Sequence, residues 1–229
     1  HKTGGLFTNL PCAFEPMRPV PVRGWRGLDG GLDVLVVLGH CDGGTRLVGL
    51  TEERRDLTWS APFDAGDSLA FDVARGKSTP VLSVMHWLSD GGGELEVTRY
   101  DVGFTGQMTR RVHVGGQLRV EALSVDDFDQ PVVLLRGGGA QLTDQSGVTA
   151  TVSASSSVSL LQLDAQLRPV RYAGVDYPAL LKTRSMVATG GAWVLDAVCL
   201  AYDGGTAWPC PSDRSSFAMR LVLPDGGSP

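Results

Sequence analysis

The chain has 229 residues, 42% apolar and 20% charged, with a formal net charge of −5 at pH 7 and a pI near 5.3. That apolar fraction is enough for a buried core and excludes a disordered chain. The acidic balance excludes the basic face that a nucleic-acid binder carries. No apolar run approaches the roughly 18–20 residues of a membrane-spanning helix; the longest, Val34-Leu35-Val36-Val37-Leu38, is strand-sized.

The 30 glycines and 13 prolines fall between short β-branched or aromatic runs. That is how turns punctuate strands, so the chain is predicted to be all-β. Arg54 to Trp59 and Tyr177 to Arg184 are the only helical candidates, and both are too short to stand alone.

In chain order, an N-terminal stretch from Gly5 to Phe14 precedes about four degenerate repeats, at 24–63, 67–114, 116–175 and 180–227. Each has a nearly continuous apolar strand, marked by Val34, Val81, Val132 and Trp193, at steps of 47, 51 and 61 residues. A glycine turn follows: Asp42-Gly43-Gly44, Asp90-Gly91-Gly92-Gly93, Gly137-Gly138-Gly139 and Asp203-Gly204-Gly205. Glycine supplies the positive φ of tight hairpins, and Asp before it is a common turn starter.

A second strand, Arg46–Thr51, Leu95–Asp101, Ser159–Asp164 or Phe217–Asp225, runs into a polar turn. A last strand comes after it in three copies: Leu57–Ser60, Met108–Val112 and Pro169–Tyr172. Copies three and four are longer, and the surplus reads as loops at 141–157 and 202–216. A period of about 40–50 residues with four strands is the pattern of propeller blades. The expected architecture is a single domain over 1–229, a small four-bladed β-propeller. The fourth repeat lacks its last strand, and residues 5–14 are expected to supply it beside Phe217–Leu223, closing the ring. A β-sandwich, which also shows regularly spaced short strands, is the alternative.

Cys12, Cys41, Cys199 and Cys210 are an even number at wide spacing without CxxC, which suits two disulfides in an oxidising compartment. Of the three pairings, Cys199–Cys210 and Cys12–Cys41 are favoured. The expected location is secreted, periplasmic or cell-surface, with a signal peptide or anchor upstream of His1 removed.

The third copy carries Val120-Glu121-Ala122-Leu123-Ser124-Val125-Asp126-Asp127-Phe128-Asp129-Gln130-Pro131-Val132 and, later, Leu163-Asp164-Ala165-Gln166-Leu167-Arg168-Pro169-Val170. It resembles the bacterial β-propeller-type repeats of secreted and lipid-anchored surface proteins. In those, a strand and an Asp-x-x-Gly-Asn-like turn lead into an apolar strand, and a Leu-Asp-x-x-Gly turn follows. Here Asp127-Phe128-Asp129-Gln130 lacks the Gly-Asn. The resemblance implies a propeller at the cell surface and assigns no activity.

Nucleophile elbows, P-loops, dinucleotide fingerprints and HExxH are absent from the sequence. His40, His86 and His113 carry the side chain that changes charge near neutral pH. His40 and His86 end equivalent strands, so with Asp42 and Asp90 they are expected to share one rim of a channel. Trp87 and Trp208 stand beside turns and are candidate platforms for a ligand. No cofactor is expected; the Asp126, Asp127, Asp129 cluster is the one place for calcium, without a complete EF-hand pattern. The leading function is an extracellular binding or scaffold module for a protein or glycan partner. The alternatives are a glycan hydrolase using channel carboxylates, with Asp33 and Asp196 the only acids inside the apolar strands, and a structural component of a larger surface assembly.

Overall fold

The computed structural model describes residues 15–16, 22–26, 32–41, 44–51, 57–73, 79–101, 104, 106–116, 118–126, 128–137, 141–144, 147, 149–151, 158–175, 181–189, 192–199 and 216–221. All regular structure among them is β, in four antiparallel sheets, none closed on itself. No helix among the described residues is long and apolar enough to cross a membrane.

The first sheet contains β1 (Glu15–Pro16), β2 (Val22–Arg26), β3 (Leu32–Cys41), β4 (Gly44–Thr51) and β5 (Leu57–Trp59). β1 and β2 share one edge of β3, and β4 and β5 follow on the other side. The second sheet is a meander of β6 (Ser68–Val73), β7 (Pro80–Trp87), β8 (Gly93–Tyr100) and β9 (Gln107–Gly115). β10 (Arg119–Val125) and β11 (Pro131–Arg136) begin the third sheet. The chain then makes β12 (Gln141–Asp144) and β13 (Thr149–Thr151), a hairpin that extends the second sheet beyond β9, before β14 (Val158–Leu163) and β15 (Pro169–Val175) complete the third. The fourth sheet is β16 (Leu181–Thr189), β17 (Ala192–Cys199) and β18 (Ser216–Leu221).

Two sequence expectations change here. Residues 141–157, read as a loop from their polar composition, contain the β12–β13 hairpin. Gln141-Leu142-Thr143 alternates about one apolar residue, and Leu142, 3% exposed, drops into the core beside Val112 and Val114. Among the described residues the repeats are also not uniformly four-stranded: the sheets hold five, six, four and three strands. The expected closing strand at 5–14 lies outside the described residues. β18 bonds to β17, and among the described residues no strand lies on its other edge.

The sheets stack face to face in sequence order. Val36, Leu38 and Leu47 of the first sheet pack on Phe71, Val73, Leu82, Val84 and Tyr100 of the second. The opposite face of the second, with Val81, Met85, Leu95 and Val97, packs on Leu123, Val133, Leu135 and Leu161 of the third. The third sheet turns Val132, Leu134, Val158 and Leu160 to Met186, Trp193 and Leu195 of the fourth. A strand between two such layers must be apolar on both faces, so β7 and β11 read as continuous runs. A strand covered on one face alternates: in β9, Val112 and Val114 are buried while Arg111 and His113 face solvent.

The first strands of successive sheets lie side by side without a ladder. Ser68 Oγ accepts the Val120 N–H at 2.8 Å, and Asp72 Oδ2 accepts the Val125 N–H at 2.9 Å. Ser124 Oγ likewise accepts the Ala188 N–H at 3.0 Å, and Glu121 Oε2 the Thr183 N–H at 3.4 Å. Both pairs advance together along the chain, so β6, β10 and β16 run parallel. Side-chain oxygens thus satisfy backbone donors that a neighbouring strand would otherwise take.

Three turns at one end share a single design. Asp126 N–H donates to Gln130 O, Asp129 N–H to Asp126 O, and Asp126 Oδ1 accepts from the Phe128 and Gln130 N–H groups. Asp164 repeats every bond with Leu167, Gln166 and Arg168. Asp101 makes the two backbone bonds in a turn one residue longer, to Phe104 and Gly106. The residue three after each Asp has a positive φ: 57° at Phe104, 65° at Asp129 and 62° at Leu167. Glycine takes that conformation freely, and an L-residue there costs about 1–2 kcal/mol. Each side chain offsets that cost with contacts. Leu167 is fully buried between the second and third sheets. Phe104 meets Tyr100 edge-on at 5.5 Å and fills the space over Gly49, where a Cβ would come within 2.8 Å of its ring. Asp129 pairs with Arg99 of β8 through Oδ2, and its carbonyl accepts the second guanidinium nitrogen at 2.8 Å.

Candidate functional site

The opposite end carries the β3–β4 turn, the β5–β6 connection, the β7–β8 turn and the start of β10. A cleft at this end is open, about 460 Å³, and lined by His40, Gly44, Thr45, Pro62, Phe63, Asp64 and Ala65. The floor is rigidly built. Ser60 donates its N–H to Leu47 O at 2.9 Å, and its Oγ accepts the Leu47 N–H at 3.1 Å. Phe63 N–H then donates to Thr45 O at 2.9 Å, so residues 60–63 lie along β4. At Gly44 a Cβ would stand 3.1 Å from Pro62 Cβ, which is how closely the hairpin approaches this segment.

His40 is exposed at the rim, and its Nδ1 lies 3.2 Å from Thr45 Oγ1, the residue opposite it in the β3–β4 register. Asp64 is 84% exposed; Oδ1 accepts the Gly66 N–H at 3.0 Å, and Oδ2 stands 3.9 Å from Nδ1 of half-buried His86. Gly66 makes this approach feasible. Its φ is +57°, and a Cβ there would lie 2.4 Å from Met85 O. The β5–β6 connection therefore bridges the ends of β3 and β7, with Asp64 between His40 and His86.

The other sequence candidates have different roles. Asp90 Oδ1 accepts the Gly92 N–H at 3.0 Å and shapes the β7–β8 turn, where Gly91 has φ +88°. Trp87 acts as a strut. Its indole N–H donates to Leu118 O at 2.9 Å, its backbone N–H to Asp67 Oδ2 at 2.6 Å, and the Arg119 guanidinium lies 4.8 Å over its ring. One face and the polar edge of this platform are thus occupied from within. Asp42 and Trp208 lie outside the described residues. Asp33 is in β3 and Asp196 in β17, in the first and fourth sheets, and Asp196 lies opposite Ser185 and Ala218.

Cys41 ends β3 and is disulfide-bonded; Cys199 ends β17, and Cys12 and Cys210 lie outside the described residues. In the acidic cluster, Asp126 serves its own turn and Asp129 serves Arg99, while Asp127 lies outside the described residues. Among the described residues no three His, Cys, Asp or Glu side chains converge as metal ligands would.

Sequence reasoning missed Thr45, Pro62 and Phe63, which lie inside the first repeat at 24–63, and Asp64, which falls between it and the repeat that begins at 67. The available signal was Asp64-Ala65-Gly66, an Asx-turn pattern followed by a forced glycine. No known protein family matches the chain, and no characterised protein matches it.

Proposed function

We propose that this chain is an extracellular binding or scaffold module, shaped as a small four-bladed propeller of the bacterial surface-protein kind, with its partner-binding surface at the cleft-bearing end. The observation that carries the propeller reading is the parallel, side-by-side placement of β6, β10 and β16, each the first strand of its sheet, with the sheets stacked in order. In a propeller the first strands surround the axis and each blade packs on the next. Residues 5–14 would then supply the fourth strand beside β18. The turns at Asp126 and Asp164 support the resemblance, since they have the geometry that an Asp-x-x-Gly turn would have, with Asp129 and Leu167 in the glycine's place. The bonded state of Cys41 supports an oxidising compartment.

Binding is favoured over catalysis by how the carboxylates are used. Asp67, Asp72, Asp90, Asp126, Asp129 and Asp164 each hold a backbone or guanidinium donor and serve structure. The test is surface plasmon resonance of the full chain against arrayed cell-surface glycans and extracellular proteins, with glycan turnover followed in parallel. Saturable binding that His40→Ala or Asp64→Ala removes, without turnover, supports the reading. Turnover, or binding indifferent to both changes, overturns it.

A further inference from the structure

Resting on that reading, we infer that the cleft between His40 and Asp64 receives a cationic side chain, arginine or lysine, from a protein partner. Among the described residues of its lining, Asp64 is the one formally charged group. One of its oxygens is held by the Gly66 N–H, which fixes the carboxylate's direction. The other, Oδ2, stands 3.9 Å from His86 Nδ1, beyond hydrogen-bond range. At 84% exposure it is accessible to an incoming donor. A carboxylate fixed in this way loses little freedom on pairing, and a charge-assisted bond to guanidinium or ammonium is among the stronger polar contacts.

The remaining lining suits the rest of such a side chain. Pro62, Phe63 and Ala65 form an apolar wall for an aliphatic stem, the part of Arg and Lys that packs on apolar surface. Phe63 also offers a ring to a guanidinium. His40 has Nδ1 engaged with Thr45 Oγ1, which fixes the imidazole at the rim. The cleft volume of about 460 Å³ exceeds what one long side chain needs and leaves space for flanking backbone. The chain's net charge of −5 would also steer a basic partner toward it.

The experiment is an NMR titration of the 15N-labelled full chain at pH 7.5 with three probes: Nα-acetyl-arginine amide, its neutral isostere Nα-acetyl-citrulline amide, and a methyl glycoside. The expected result is saturable shifts of the Thr45, Phe63 and Ala65 amides with the arginine probe. These should weaken about tenfold or more with citrulline and in Asp64→Asn and Asp64→Ser. Asp64→Ser keeps an oxygen for the Gly66 N–H while removing the charge, so it separates loss of charge from loss of the turn. Equal response to citrulline, a response to the glycoside alone, or no response overturns the assignment. If array binding is still lost in His40→Ala when the arginine probe fails, the binding-module reading stands and only the cation assignment falls.

Discussion

The two ends of the molecule are built on opposite plans. At one, repeated Asp turns close on their own backbones, and the positive-φ residue of each sends its side chain into the structure, as a core leucine, a ring set edge-on to Tyr100 or half of a buried ion pair. At the other, the connections differ from sheet to sheet and leave His40, Phe63 and Asp64 facing an open cleft. The repeat's structural work is concentrated where the copies agree. Surface available to a partner appears where they diverge, as expected when a rigid scaffold carries variable connections.

Substitutions can break or sharpen this contrast. The largest effect is expected at Arg99 and Asp129, whose side chains are 11% and 7% exposed. Removing either partner strands a buried charge, and Arg99→Ala should destabilise by about 3–5 kcal/mol in urea unfolding. Leu167→Ala comes next, at about 2–5 kcal/mol, because it empties a fully buried site in the layer between the second and third sheets. At the cleft end, by contrast, His40→Ala and Asp64→Asn should each change stability by no more than about 0.5 kcal/mol. A loss of several kcal/mol in either cleft variant would show that this end is structural too.

How far the sequence reaches follows the same division. β7 and β11 are legible because a strand buried on both faces reads as a nearly continuous apolar run, as in Val132-Val133-Leu134-Leu135, and β17 is legible by alternation, with Trp193, Leu195 and Ala197 buried and Val194 and Asp196 half-buried between them. The turns at Asp126 and Asp164 are legible as turns, though nothing local reveals that Asp129 reaches Arg99, 30 residues earlier in the chain. The β12–β13 hairpin is hidden by its Thr and Gln content. The contacts of Ser68 and Asp72 with β10 are hidden because single polar residues in a strand carry no mark of which distant N–H they serve. The cleft is only half legible. His40 and His86 stand at equivalent strand ends, whereas Thr45 and Asp64 acquire meaning only once residues 60–63 lie along β4.

Two smaller effects depend on pH. Burial raises the Asp164 carboxyl, but hydrogen bonds from the Arg168 backbone and side chain and from the Gln166 backbone outweigh it, and the carboxyl lies below its usual 3.8. Its contribution is therefore present above that value and lost as the pH falls through the lowered native one. Stability curves of the wild type and Asp164→Asn should converge in acid and separate above pH 4. Tyr100 is pushed up to about 12 by burial and then by the nearby Glu96 charge. Its contribution is complete below pH 10 and lost as the pH rises toward 12; burial raises Tyr172 as well, so ultraviolet titration should show late-titrating phenol absorbance that Tyr100→Phe reduces and does not abolish.

The central structural claim is that side-chain oxygens hold the first strands of successive sheets together. Amide hydrogen exchange at Val120, Val125 and Ala188 tests it most directly. These N–H groups should exchange as slowly as those within the β10–β11 ladder, with Ser68→Ala releasing Val120 alone and Asp72→Ala releasing Val125 alone. Fast exchange at all three in the unmodified protein would mean that β10 and β16 are open edges, contradicting the side-by-side arrangement of the sheets.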